Sequence, residues 1–237
     1  MKIGIFGDSY AKTLDHHPDS RFMGKAWWEI LAENHEVTNH GLGGSAAYYS
    51  IEQFDEYQSE YDRIVFCMTF PGRVYLGKNK GIKNPYYPKE TAKNFNGYDS
   101  AKNALEFLKE FPGQVVEDNI TIKAVMDYFL YVQNIEEETF KIRLYSDYVK
   151  KIRPDSLILH AADLANISNS ELMHWGLTHA IFSEYAEIRK CHFSDENNII
   201  FAGRIEKWLK TNTVNLDPST FAKPKDPWER YFKKYDL

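Results

Sequence analysis

Short apolar runs alternate with longer amphipathic stretches along the whole chain, and that rhythm sets the first expectations. Residues 2–6 (KIGIF) are a β-branched and aromatic run that stops at Gly7, as a buried strand does. Residues 24–33 set Trp27, Trp28, Ile30 and Leu31 at helical spacing, and residues 36–39 form a second short strand closed by Gly41-Leu42-Gly43-Gly44. Residues 46–57 read as a helix. Residues 63–69 (RIVFCMT) are apolar almost throughout, the mark of a strand covered on both faces, and Pro71-Gly72 stops them. Residues 74–98, rich in Lys, Asn, Gly, Tyr and Pro, read as a long loop. Helices are predicted over 100–111 and 118–152, and a strand over 156–160 (SLILH). A last helix over 194–209 carries Ile199, Ile200, Ala202, Ile205, Trp208 and Leu209 on its apolar side.

Strands alternating with helices predict an α/β domain, a parallel sheet with helices on both faces. Ligands bind such sheets at the carboxyl ends of the strands. Ser9, Gly44 and Thr69 each sit just beyond a predicted strand end. The expected division is a domain over 1–210, with residues 73–150 as an insertion holding a lid loop and helices. An extension over 211–237 follows. In it Trp228, Tyr231, Phe232 and Tyr235 make one stripe of a short helix.

Composition narrows the classes. At 237 residues and 43% hydrophobic content the chain can build one large core. A net charge of −5 with no long basic run argues against a nucleic-acid scaffold. Cys67 and Cys191 give neither a disulfide framework nor a CxxC metal spacing. His174 and His179, five apart, do not share a helix face as a zinc pair does, so no metal and no cofactor are expected. No apolar run reaches about 18 residues, so no membrane span is expected. The opening apolar stretch is too short for a signal peptide. A soluble protein inside a cell, or in a particle made there, is the expectation. Aromatics at 15% exceed what a core needs and point to a lined groove or an interface, which leaves room for a homo-oligomer.

Three segments carry the chemistry. Gly7-Asp8-Ser9-Tyr10 follows the first strand. A serine at a strand-to-helix turn exposes its Oγ and can lend its own N–H to a developing oxyanion, though Gly, Asp and Ser are also ordinary turn residues. Asn39-His40-Gly41-Leu42-Gly43-Gly44 has glycines that let backbone N–H groups approach a ligand. It is not G-x-G-x-x-G, yet a phosphate-binding loop remains a rival reading. His192, in Cys191-His192-Phe193-Ser194-Asp195, precedes the last helix, and a near-neutral imidazole is the usual base for a serine.

In this order and at these places, the three segments resemble the SGNH (GDSL) hydrolases. Gly7-Asp8-Ser9-Tyr10 looks like the nucleophile block, Asn39 with Gly44 like the second block, and His192 with the helix after it like the last. The resemblance implies a three-layer α/β/α sandwich, flavodoxin-like, with a short parallel sheet of about five strands. It implies Ser9 as nucleophile, His192 as base and the N–H groups of Ser9 and Gly44 as oxyanion donors. It also implies a carboxylic ester as substrate, with an O-acetyl group on carbohydrate as the favoured form.

Two positions depart from the pattern. Pro71 falls near the expected third-block asparagine, leaving Thr69, Arg73 and Asn39 as oxyanion or substrate contacts, Arg73 preferred for its charge. Loss of such a donor costs about 2.7–4 kcal/mol of transition-state stabilisation. Arg189 stands where an aspartate often orients the histidine, so Asp195, Glu187 or Asp163 would have to orient His192. The alternative is a catalytically silent SGNH-like domain that binds glycans or serves a structural role.

Overall fold

The computed structural model describes residues 1–8, 11, 25–42, 45–68, 73–75, 82–83, 91–92, 94–95, 102, 123–160, 173–174, 195–216 and 220–222. Five strands form one sheet: β1 (Lys2–Gly7), β2 (Glu36–Asn39), β3 (Arg63–Met68), β8 (Leu157–His160) and β9 (Met173–His174), ordered β2-β1-β3-β8-β9. Every pairing in it is parallel. This is the flavodoxin-like 2-1-3-4-5 order, in which the chain leaves the first strand toward both sides and opens a crevice between the carboxyl ends of β1 and β3.

Side chains alternate along each strand, and both faces are covered. Ile3 and Ile5 of β1, Val65 and Cys67 of β3, and Leu157 and Leu159 of β8 point to one face. There they meet α1 (Trp27–Leu31) and α4 (Asp195–Thr211), and Trp27 packs edge-on to Phe201 at 5.1 Å between ring centres. Phe6, Ile64, Phe66, Met68 and Ile158 point to the other face, against α2 (Ala47–Tyr57) and α3 (Ile135–Ile152). The expected α/β/α layering is present.

Three expectations need correction. Residues 74–98 are not simply a loop. Within them β4 (Val74–Tyr75) pairs antiparallel with β7 (Asn94–Phe95), and β5 (Ile82–Lys83) with β6 (Thr91–Ala92). The β-branched and aromatic residues scattered among lysines and prolines suffice for two short ladders. The helix expected over 118–152 is broken. Residues 123–127 are helical, Tyr128–Val132 form a π-helical turn, and α3 begins after Asn134. The Asn134 side chain accepts from the N–H groups of Glu136 and Glu137, a capping role that asparagine fills better than a helix interior. Finally, Ile199 is 63% exposed, and Phe201 takes its place on the buried stripe with Ala202, Ile205, Trp208 and Leu209. At 3.6 residues per turn, Ile199 lies about a third of a turn away from Ile205.

The extension joins the domain at its start. Phe221 is buried with the α1 and α4 cluster, and Ala222 exchanges hydrogen bonds with the Asn197 side chain. Its stripe from Trp228 to Tyr235 and the helix expected over 100–111 lie outside the described residues, Lys102 excepted. Among the described residues no helix is long and apolar enough to cross a membrane.

Candidate functional site

The turn after β1 is built by its glycine. Gly7 has φ +149°, a backbone that side-chain-bearing residues rarely adopt. A Cβ there would also lie 2.6 Å from the Cys67 carbonyl oxygen. Asp8 follows with no exposed surface. The Ala11 N–H donates to the Asp8 carbonyl at 3.0 Å.

The loop after β2 clamps this turn from the side. The Leu42 N–H donates to the Gly7 carbonyl at 3.1 Å. The Asn39 amide donates to the Ala11 carbonyl at 2.6 Å, and its oxygen accepts the Gly41 N–H at 2.8 Å. Asn39 thus holds two backbone segments together with both ends of its amide. Gly41 must be small, since a Cβ would lie 2.8 Å from that of Ala11.

Arg73 reaches the same turn from beyond β3. Its Nη1 donates to Asp8 Oδ2 at 2.8 Å and to the Ser45 carbonyl at 3.1 Å, with the arginine side chain 12% exposed. Ser45, itself buried, donates from Oγ to the Gly7 carbonyl at 3.3 Å. One guanidinium therefore ties together the segments that follow β1, β2 and β3. Its Nη1 serves an internal carboxylate. A charged pair this buried is sustained by its mutual attraction and by the hydrogen bond to Ser45. Behind the turn, burial and then the Asp8 carboxylate push the Cys67 thiol well up.

His40 borders the glycine loop but is a wall rather than a reagent. Its ring is stacked between Phe6 (4.9 Å) and Tyr57 (4.6 Å), and Nε2 meets the Tyr61 hydroxyl at 2.6 Å. Burial lowers its pKa from the ordinary 6.5, against an opposing pull from Glu60 and Glu56. His160, at the carboxyl end of β8, is also buried, with Nε2 3.4 Å from Ser146 Oγ. Its place at a strand end was readable from SLILH.

A pocket of about 80 Å³ lies against Arg73, lined also by Ala46, Ala47, Tyr48, Tyr75, Glu138, Lys141, Ile142 and Tyr145. At roughly 30 Å³ per water it has room for two or three waters or a small acyl group. The Tyr75 hydroxyl donates to Glu52 at 2.8 Å, and burial, then that bond, push its pKa up. Lys141 is held by Glu138 at 2.8 Å and Glu137 at 2.9 Å. Tyr75 lies in the segment read as a long loop; apart from it and Arg73, sequence reasoning missed these residues. Tyr48, Ile142 and Tyr145 sit at ordinary helical spacing, and only packing of α2 on α3 and β4 brings them to one cavity.

Of the other expected site residues, Ser9, Gly44, Thr69, Asp163, Glu187 and His192 lie outside the described residues. The backbone of Asp195 opens α4. Among the described residues no group of three or more His, Cys, Asp or Glu is placed to hold a metal ion.

No protein-family model and no curated protein matches the chain. Solved structures are similar to the chain at low scores. TesA is 11% identical, with 90% of this chain and 100% of that one covered and a TM-score of 0.36. The esterase EstA from Pseudoalteromonas sp., inhibited by monoethylphosphonate, is 13% identical over 88% and 98%, at 0.35. A catalytic mutant of Axe2, an acetylxylan esterase from Geobacillus stearothermophilus, is 11% identical over 91% and 95%, at 0.34. Scores this low carry no argument.

Proposed function

We propose that the chain is a serine esterase. His192 takes the proton of Ser9, and Ser9 Oγ attacks an ester carbonyl. The N–H groups of Ser9 and Gly44 receive the negative charge that develops on the carbonyl oxygen. The imidazolium returns its proton to the leaving alcohol. Water then attacks the acyl-enzyme with His192 again as base, releasing the acid and regenerating Ser9.

The observation that carries this reading is the bracing of the described residues on either side of Ser9. Gly7, Asp8 and Ala11 flank it and are fixed by Leu42, Asn39 and Arg73, at the crevice between β1 and β3. A nucleophile gains from being held in one geometry before substrate arrives, and a plain surface turn needs no buried ion pair behind it. The pocket beside Arg73 is assigned to the acyl or alcohol portion of the substrate. Its size suits an acetyl group, and Tyr48, Tyr75 and Tyr145 suit a sugar face.

Replacing Ser9 with alanine abolishes hydrolysis of a short p-nitrophenyl ester and labelling by a fluorophosphonate; unchanged turnover in Ser9→Ala ends this reading. A second reading, a silent binding domain of the same fold, is favoured by the engagement of Arg73 Nη1 and of both ends of Asn39. Wild-type chain that resists the fluorophosphonate yet binds acetylated oligosaccharide decides for it.

A further inference from the structure

The pocket beside Arg73 holds a carboxylate with one oxygen unused. Helix α3 turns Glu138, Lys141, Ile142 and Tyr145 to the cavity, at the spacing that shares one helix face. Glu138 Oε1 accepts from the Tyr128 hydroxyl at 2.9 Å and from Lys141 Nζ at 2.8 Å. Among the described residues nothing donates to Oε2. The side chain is only 14% exposed, so that oxygen is largely withdrawn from bulk water while its need for a donor is unmet. Two donors on Oε1 hold the carboxylate in one orientation, and Oε2 therefore meets a ligand from a fixed direction.

Charge selects the donor. Lys141 is held by Glu137 and Glu138, and Arg73 by Asp8, so each cation in the wall already faces a carboxylate and gives an anion little to bind. An incoming ammonium would come up against Lys141, whose charge rests on the same Glu138 carboxylate, and like charges repel. A hydroxyl donates without either cost. The Tyr75 hydroxyl is committed to Glu52, which leaves Tyr145 to make a second polar contact. The cavity of about 80 Å³ takes a hydroxyl-bearing arm or a ring edge rather than a whole ring. At its rim the half-exposed Tyr48 ring, 6.3 Å from the Tyr145 ring, offers a flat apolar surface to the remainder.

We propose that Glu138 is a specificity-determining residue: its Oε2 receives a hydroxyl of an uncharged, polyhydroxylated ligand, with the Tyr145 hydroxyl as the second contact. This rests on the esterase reading for one point only, that the ligand is the alcohol portion of the ester and the acyl group lies elsewhere. Arg73 spans the distance, since it lines the pocket and donates to Asp8, the residue before Ser9 in the chain. Tyr128 acts through Glu138 as a positioning residue, and the π-helical turn that carries it sets the carboxylate from outside the cavity.

Calorimetric titration of the full chain tests it. The probes are the methyl glycosides of glucose, galactose, mannose and xylose, with glycerol, glucosamine and glucuronic acid beside them. An uncharged probe binds most tightly; a glycoside ahead of glycerol assigns the ligand to sugars, and the reverse order to glycerol-like alcohols. Glu138→Gln keeps an acceptor for Tyr128 and Lys141 and turns the Oε2 position into a donor, and it weakens that binding at least ~10-fold. Tyr145→Phe keeps the ring and weakens it about threefold to tenfold. Circular dichroism verifies that each variant folds; should Glu138→Gln fail to, Tyr145→Phe decides alone. Tightest binding by glucosamine or glucuronic acid overturns the proposal, as does no binding by any uncharged probe, or a folded variant that binds as the wild type does. None of these readouts involves turnover. Binding without ester hydrolysis ends the esterase reading alone, and hydrolysis of a p-nitrophenyl ester without binding ends this proposal alone.

Discussion

Both faces of the sheet are covered with apolar side chains, yet they end differently. Against α1 and α4, Phe201, Ile205, Trp208 and Trp27 are buried, and of the large apolar residues of those helices only Ile199 is strongly exposed. That face is sealed. Against α2 and α3 the layer is aromatic, with Phe6, Phe54 and Phe66 in contact. There the outer helix keeps an apolar stripe in solvent and lines a pocket with its flank. Among the described residues, the first face closes over its own core, while the second leaves apolar side chains of its outer helix exposed and a pocket at its flank. The braced turn stands at the carboxyl edge, between the two.

Removing a large buried ring from the sealed face gives the largest effect. Phe201→Ala lowers unfolding free energy by about 3–5 kcal/mol, read by urea denaturation. Ile199→Ser, on the same helix, changes it by no more than about 0.5 kcal/mol. Equal losses would break the distinction between the stripe and its back. At the edge, Arg73→Ala leaves the Asp8 carboxylate buried without this ion partner and costs about 3 kcal/mol. Adding Asp8→Asn to that variant recovers most of the loss, and a cycle with additive losses would show that the pair is not coupled.

The smallest effect is a pH dependence from the aromatic face. His40 has a lowered pKa when folded, so the unfolded chain binds the extra proton more readily. Its contribution to stability is complete above about 6.5 and is lost as the pH falls below that value toward the folded pKa. His40→Phe keeps the stacking and flattens that part of the stability profile. An unaltered slope between wild type and variant would remove His40 as the cause.

Much of the frame was legible along the chain. KIGIF, RIVFCM and LILH are buried by both faces of a sheet, and their composition says so before any partner is known. The break before α3 was legible only to a reader who ranked Asn134 as a cap above the helical rhythm on either side of it. Ile199 misled because hydrophobicity alone does not say which arc of a helix faces inward. The burial of Phe201 against Trp27 decides that.

The candidate site divides the same way. Gly7-Asp8-Ser9 and the glycines after β2 announce a tight turn and a close backbone approach by residue type, since only such residues tolerate those conformations. What Arg73 and Asn39 do there was beyond the sequence. A guanidinium or an amide has several partners within chemical reach, and the choice is made by which chain segments converge. The sequence by itself determined β1, β2, β3 and β8 and the place of the turn, because these follow from local preference and periodicity, whereas the two-residue strands β4 to β7 and β9 are too short to announce themselves. The tertiary structure alone decided that Arg73 turns inward to Asp8, that three tyrosines share one pocket, and that the stripe on α3 faces solvent. Those outcomes depend on distances between residues far apart in the chain.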